Sequence, residues 1–294
     1  MKTNGPKAWF LAARPKTLTG AAAPVLAGGT LAFHDQGGVD AVPFLLCLLF
    51  AFVMQIDSNL VNDYFDFLKG TDREDRLGPE RACAQGWVTP KAMRLAIGVT
   101  TCIACVLGLP LIMWGGYELV FVGLLCVLFC FLYTTCLSYL GYGDLLVLVF
   151  FGIVPVCVTY YVLAGGVSWP VFVASMGCGL ATDCLLMVNN YRDRNQDAVS
   201  GKRTLVVRFG REFGLRMYLW LGLLAFILGS LSVCVVTGKW YSCLLLIPYV
   251  VLHIVVYRRM LLIDGKALNG VLGATARNIF LFGVLFALNL LVCG

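Results

Sequence analysis

The chain has 294 residues, of which 60% are hydrophobic and only 13% charged, with a mean hydropathy of +0.86. Soluble globular domains carry roughly 25% charged residues, so the composition excludes an ordinary water-soluble domain and points to burial in lipid. The net charge of +6 does not indicate nucleic acid, because the basic residues gather at the ends of apolar segments.

Residues 1–16 are polar with one short apolar stretch and lack the compact pattern of a cleaved signal peptide. From there, apolar runs near the ~20 residues needed to cross a bilayer follow one another. They predict nine membrane helices near 17–34, 42–66, 92–114, 117–137, 144–165, 168–190, 213–236, 241–257 and 275–293. Trp114-Gly115-Gly116, Gly165-Gly166 and Thr237-Gly238 are natural stops between them. No residues remain for a soluble domain, so the expectation is a single all-α transmembrane domain over 1–294 in contact with membrane lipid. The thirteen cysteines lie scattered in apolar runs without a CxxC pair, which reads as buried free thiols rather than a disulfide framework or a thiolate metal site.

With the N-terminus inside, 21 of the 22 Lys and Arg fall on the cytoplasmic side and only Lys239 falls outside. That asymmetry fixes the orientation and supports the helix count, since a missed helix would scramble it. The two longest polar connections, 67–91 and 191–212, both lie on the basic side. The expected location is the cell inner membrane, with the active site facing the cytoplasm.

Each of these connections is preceded by a polar cluster at the end of an even-numbered helix. The first runs from Asn59 through Asn62-Asp63-Tyr64-Phe65-Asp66 to Lys69-Gly70-Thr71-Asp72. Helical spacing puts Gln55, Asn59, Asn62 and Asp66 on one face with Asp63 beside them. The second is Asn189-Asn190-Tyr191-Arg192-Asp193-Arg194-Asn195-Gln196-Asp197, in which Asp193 and Asp197 stack one turn apart. Hard oxygen ligands of this kind suit Mg²⁺ that bridges to phosphate oxygens. Lys69, Arg73, Arg76 and Arg81 follow the first cluster, and Lys202 and Arg203 the second, placing cations where a diphosphate would need them. Asp183, seven residues before Asn190, shares its face and is expected to line the same cavity. Asp57 lies off the Asn59–Asp66 face, and the alternatives of helix-packing partner and site residue both stand.

At these residues the chain resembles the UbiA superfamily of membrane prenyltransferases, whose first motif usually reads NDxxDxxxD and whose second reads DxxxD. Asn62-Asp63-Tyr64-Phe65-Asp66 and Asp193–Asp197 match, while position 70 is Gly and the next carboxylate is Asp72. That variant, NDYxDxxKGTD, is similar to the branch that prenylates 1,4-dihydroxy-2-naphthoate, the MenA group. Arg14-Pro15-Lys16-Thr17, Gly78-Pro79-Glu80-Arg81-Ala82, Tyr142-Gly143-Asp144-Leu145, Gly201-Lys202-Arg203-Thr204-Leu205, Leu268-Asn269 and Thr275-Ala276-Arg277 extend the likeness along the chain. One departure is Tyr133-Thr134-Thr135-Cys136-Leu137-Ser138, which has no basic residue where related sequences often carry one.

The resemblance implies a nine-helix bundle that transfers a polyprenyl group from polyprenyl diphosphate to 1,4-dihydroxy-2-naphthoate, with loss of CO₂ and diphosphate, giving demethylmenaquinol. It implies Mg²⁺ held by Asn62, Asp66, Asp193 and Asp197, and a role for Asp63 in taking a proton or orienting the ring hydroxyl. Asn59, Asp72, Arg81, Tyr133, Asn190, Lys202 and Arg203 are the expected substrate contacts. The alternatives are another aromatic acceptor on the same scaffold (4-hydroxybenzoate, homogentisate or haem) and, more distantly, an ion-coupled transporter with broken midplane helices.

Overall fold

A computed structural model describes residues 2–71 and 76–294, and every element in them is helical. In chain order these are α1 (Pro6–Ala13), α2 (Leu18–Gln36), α3 (Ala41–Leu68), α4 (Pro90–Gly115), α5 (Glu118–Leu140) and α6 (Gly143–Ala164). They continue with α7 (Trp169–Val199), α8 (Leu205–Phe209), α9 (Arg211–Thr237), α10 (Trp240–Leu262) and α11 (Gly265–Cys293). Short 3₁₀ or wide-turn stretches within α4, α5, α6, α10 and α11 leave each continuous.

Among the described residues, eight helices are long and apolar enough to cross a bilayer: α3 to α7 and α9 to α11. The first of the nine expected spans is also a helix, α2, but Gly20, Pro24, Gly28 and Gly29 dilute its apolar character. The reason lies in its neighbours. It packs against α11, α6 and α3, and most of its residues are buried in protein rather than lipid. Close approach of helix backbones, not hydrocarbon contact, selects small residues there. A Cβ on Gly28 would sit 2.5 Å from the Val156 carbonyl oxygen, so that crossing requires glycine.

The core follows α7. In its apolar window 67% of the residues are buried, against 17% for α4 and for α5. Ala174, Cys178 and Ala181 of α7 pack with Leu31 of α2, Val156 of α6, Ala225 of α9 and Phe282 and Phe286 of α11. Further along, Met187, Val188 and Tyr191 join Tyr218 of α9, Met260 of α10 and Val271 of α11. By contrast, Leu95, Val106 and Met113 of α4 and Phe121 and Leu124 of α5 are exposed. An apolar surface of that size marks the face that meets lipid.

Helix ends differ from the expected spans where it matters for the site. α7 runs to Val199 instead of stopping near 190, so Asp193 and Asp197 are fixed on a rigid helix and not on a loop. α11 begins at Gly265 rather than near 275, which brings Asn269 into the bundle. Antiparallel succession sets the C-terminal ends of α3, α5 and α7 beside the N-terminal ends of α2, α6 and α11, and this is the end that carries the basic connections.

Candidate active site

A cavity of about 710 Å³ opens at this end, among α3, α5, α6, α7 and the connections that follow α3 and α7. Asn62 and Asp66 line it from the last turns of α3, and Asn190, Asp193 and Asp197 from the last turns of α7. The two polar clusters, 127 residues apart between Asp66 and Asp193, therefore share one space. Arg81, Tyr133 and Lys202 also line it.

Asp63, Asn59 and Arg203 do not line the cavity. The buried Asp63 carboxylate accepts from the Ala82 and Cys83 amides at 2.8 and 2.9 Å, so it pins the connection after α3 onto the helix. Asn59 donates to the Ala13 carbonyl at 3.0 Å and to Thr17 Oγ1 at 2.9 Å, holding the start of α2 beside α3. Arg203 is exposed, and its backbone amide donates to the Tyr139 carbonyl at 2.9 Å. Asp72 and Arg73 lie outside the described residues.

Deeper carboxylates separate into two kinds. Asp57 accepts from Thr100 Oγ1 and, at 3.0 Å, from Thr101 Oγ1, so it joins α3 to α4 as a packing partner. Asp183 is buried below the cavity and does not line it, while Asp144, at the start of α6, does. One oxygen of each, Oδ1, has no hydrogen-bond partner among the described residues. Tyr133 lies within electrostatic reach of Asp144, Asp183, Asp66 and Asp197.

The cavity walls are charged in a particular way. Arg14, Lys69, Arg76, Arg81, Arg192 and Lys202 face Asp66, Asp144, Asp193 and Asp197. Cations and carboxylates thus line one space, the mixture that a metal-bridged anion needs. The buried Arg81 reaches Asp66 Oδ2 at 3.3 Å. Arg192 grips Asp193 through two bonds of 2.7 and 2.6 Å and donates to Asn269 Oδ1 at 2.8 Å. Asn269 in turn donates to the Leu77 carbonyl at 2.9 Å, so α7, α11 and the first connection are locked together.

Lys202 approaches Asp197 at 3.9 Å. Burial pulls its ammonium down, but Asp66 and Asp197 outweigh that and raise it overall, which keeps it charged. Lys69 behaves oppositely: burial lowers it, Lys202 adds to the lowering, and Asp66 opposes both. Its Nζ donates to the Thr134 and Thr135 carbonyls at 3.2 and 2.7 Å. The turn that carries no basic residue of its own is thus met by a lysine from α3's connection.

Asn189 and Gln196 of the second polar cluster also line the cavity, and so do Asp144, Arg14 and Thr17, which the two clusters do not include. Those three had a signal in their neighbourhoods, since Arg14-Pro15-Lys16-Thr17 and Tyr142-Gly143-Asp144-Leu145 are polar interruptions at helix starts. No three His, Cys, Asp or Glu side chains among the described residues converge into a metal cage by themselves. A hard cation that takes one or two carboxylates per side, plus water and phosphate oxygens, does not need one. The oxygen donors Asn62, Asp66, Asp193 and Asp197 on opposite walls fit that requirement.

The sequence matches the UbiA prenyltransferase family over residues 21–289. It is 35% identical to 1,4-dihydroxy-2-naphthoate octaprenyltransferase of Escherichia coli (strain K12), over 97% of this chain and 95% of that one. It is 37% identical to the protein of the same name from Mycobacterium leprae (strain TN), over 71% of this chain and 72% of that one. Among solved structures, a UbiA homologue from Aeropyrum pernix K1 superposes with a TM-score of 0.69 at 15% identity, covering 93% of this chain and 97% of that one. A UbiA homologue from Archaeoglobus fulgidus, bound to DMAPP and Mg²⁺, superposes with a TM-score of 0.65 at 15% identity, covering 97% and 99%. A helical membrane bundle with two acid-bearing helix ends on one cavity, and a family match across nearly its whole length, make this chain a member of the UbiA prenyltransferase family.

Proposed function

We propose that this chain transfers a polyprenyl group from polyprenyl diphosphate to 1,4-dihydroxy-2-naphthoate, with loss of CO₂ and diphosphate, giving demethylmenaquinol for menaquinone synthesis. The observation that carries the reading is the meeting of Asn62 and Asp66 with Asp193 and Asp197 on one cation-rich cavity. The names of the relatives supply the acceptor. An ion-coupled transporter has no place in the family to which the chain belongs.

The residues divide the work by position. Asn62, Asp66, Asp193 and Asp197 would hold Mg²⁺, which when bound would neutralise the diphosphate and make it a better leaving group. Arg81 and Lys202 add fixed positive charge where the leaving group gathers negative charge. Arg192 holds Asp193 by both oxygens, so this carboxylate is oriented before any ligand arrives. Tyr133 and Asn190 face the same space and shape the pocket for the ring. The new C–C bond forms between the allylic carbon of the prenyl chain and the ring carbon bearing the carboxylate. The C–O bond to diphosphate breaks with its electron pair leaving on oxygen. The bond to CO₂ then breaks, returning its pair to the ring. Walls of α5, α6 and α7 keep water from the allylic cation. Asp63 has both oxygens engaged by the Ala82 and Cys83 amides, and its part in this reading is to hold Arg81's connection in place.

The site lies on the cytoplasmic face of the inner membrane in this reading, supported by the 21 basic residues at its end of the bundle. A reporter fused at Gly294 then reads outside and one at Arg76 inside. The chemistry is tested with purified protein, labelled prenyl diphosphate and a panel of aromatic acceptors. Naphthoate is prenylated in Mg²⁺ and not in EDTA, and Asp66→Ala and Asp193→Ala lose nearly all turnover while keeping their thermal stability. Full activity in EDTA, or in either variant, rejects the metal assignment, and turnover of another acceptor in place of naphthoate rejects the substrate.

A further inference from the structure

Two lysines from different connections meet on one aromatic ring. Lys69, just after α3, places Nζ 3.8 Å from the centroid of Tyr139, and Lys202, after α7, places Nζ 5.2 Å from it. Both lysines line the cavity and Tyr139 does not, so the ring backs the two ammonium groups from outside. Tyr139 is itself fixed. It lies in the last turn of α5, just past a wide turn at Tyr133–Leu137. Such π-type turns open the peptide ladder and recur at functional sites. Here the Thr134 and Thr135 carbonyls accept from Lys69. On the other side, the Tyr139 carbonyl accepts from the Arg203 amide, and the Leu140 carbonyl accepts from Arg208 Nη2 at 2.5 Å. The end of α5 thus stitches the start of one connection to the return of the other.

The two ammonium groups repel each other. The ammonium groups are no farther apart than their two ring distances added together, and like charges repel at that range. Lys202 has Asp197 as a counter-ion, but no carboxylate among the described residues pairs with Lys69. An ammonium has three N–H donors, and two of those on Lys69 are taken by carbonyls. The same ammonium faces the Tyr139 ring and borders the cavity.

We propose that Tyr139 is a positioning residue whose ring face holds Lys69 and Lys202 as a paired ammonium clamp for the diphosphate of the prenyl donor. The inference rests on the diphosphate reading above and adds Tyr139 to it, as the group that pairs Lys69 with Lys202. The ring face orders both ammonium groups toward the cavity before the anion arrives, so donor binding does not have to order them, and the anion then removes the repulsion between them.

The test reads donor affinity in two ways, through thermal stabilisation by inorganic pyrophosphate with Mg²⁺ and through the KM for prenyl diphosphate. Losing the ring contacts in Tyr139→Leu is expected to weaken both by about 3- to 30-fold, the span of cation–π contributions from exposed to desolvated sites. The KM for naphthoate stays unchanged, and Tyr139→Phe, which keeps the ring face, restores donor affinity. Lys69→Met weakens donor binding in the same way and supplies the test if the Leu variant does not fold. In the double variant the two effects fall short of their product, because the ring acts through the lysine. Unchanged donor affinity in Tyr139→Leu or in Lys69→Met, or equal damage from Phe and Leu, overturns the clamp alone. Failure of pyrophosphate and Mg²⁺ to stabilise the unsubstituted protein overturns the diphosphate reading and the clamp with it.

Discussion

Asp63 offers a sharp test, because sequence and structure assign it different work. The family likeness implies a proton or hydroxyl contact, whereas the structure shows both carboxylate oxygens spent on the Ala82 and Cys83 amides at 2.8 and 2.9 Å. In Asp63→Asn one oxygen becomes an NH₂ group facing an N–H donor, so one bond is lost and a donor–donor contact replaces it. A hydrogen bond to a charged group contributes about 1.5–3 kcal/mol. Losing one shifts the connection toward a detached state by roughly 10- to 150-fold. Arg81 sits one residue before the pinned amides and reaches Asp66, so it moves with them. Hydrogen exchange in the peptide covering 78–88 should speed up, and the KM for prenyl diphosphate should rise more than kcat falls. The pH dependence of kcat should keep its shape, since no proton passes through Asp63. Unchanged exchange together with a kcat loss of two or more orders of magnitude would refute the anchoring argument and return Asp63 to the chemistry.

Other consequences follow from the same geometry. Lys202→Ala should raise the KM for prenyl diphosphate and Arg203→Ala should not, because only the first lines the cavity; equal effects from both would sink that distinction. Gly152→Ala should lower the melting temperature in detergent, since its Cβ would lie 2.5 Å from Gly179 Cα and from the Ser175 carbonyl. Overpacking costs about 1–3 kcal/mol, and backbone neighbours cannot swing away, so an unchanged melting temperature would contradict the α6–α7 contact. The Arg194–Asp264 pair, at 2.6 Å, holds the Asp264 carboxyl below the usual carboxylate value of 3.8 through that bond. A depressed folded-state value gives stability that is present above the unfolded value and lost as pH falls through the folded one. Asp264→Ala should therefore cost something at neutral pH and nothing below that window. Exposure keeps the effect near ~0.2–1 kcal/mol, and a penalty that grows on acidification would reverse the assignment.

Much of the protein is legible in the sequence because lipid is a demanding solvent. Backbone groups that leave water must bond within their own helix, so runs of apolar residues fix helices almost without regard to their neighbours. The placement of Lys and Arg adds orientation, and the spacing of Asn62 and Asp66, and of Asp193 and Asp197, puts each pair on one helical face. The weakest span was α2, whose small residues are chosen by contact with α11 and α6 and not by lipid. What periodicity cannot supply is which side chain a carboxylate meets across the bundle. Asp57, Asp63, Asp66 and Asp183 look alike along the chain, and only packing gives Asp57 to Thr101, Asp63 to the Ala82 and Cys83 amides, Asp66 to the cavity and Asp183 to a buried position below it. The same holds for Lys69 and Lys202, 133 positions apart, whose meeting on Tyr139 depends on the register of three helix ends. Local sequence sets the helices, because each satisfies its own backbone; the site belongs to the tertiary structure, because its contacts join side chains whose separation along the chain carries no periodic signal.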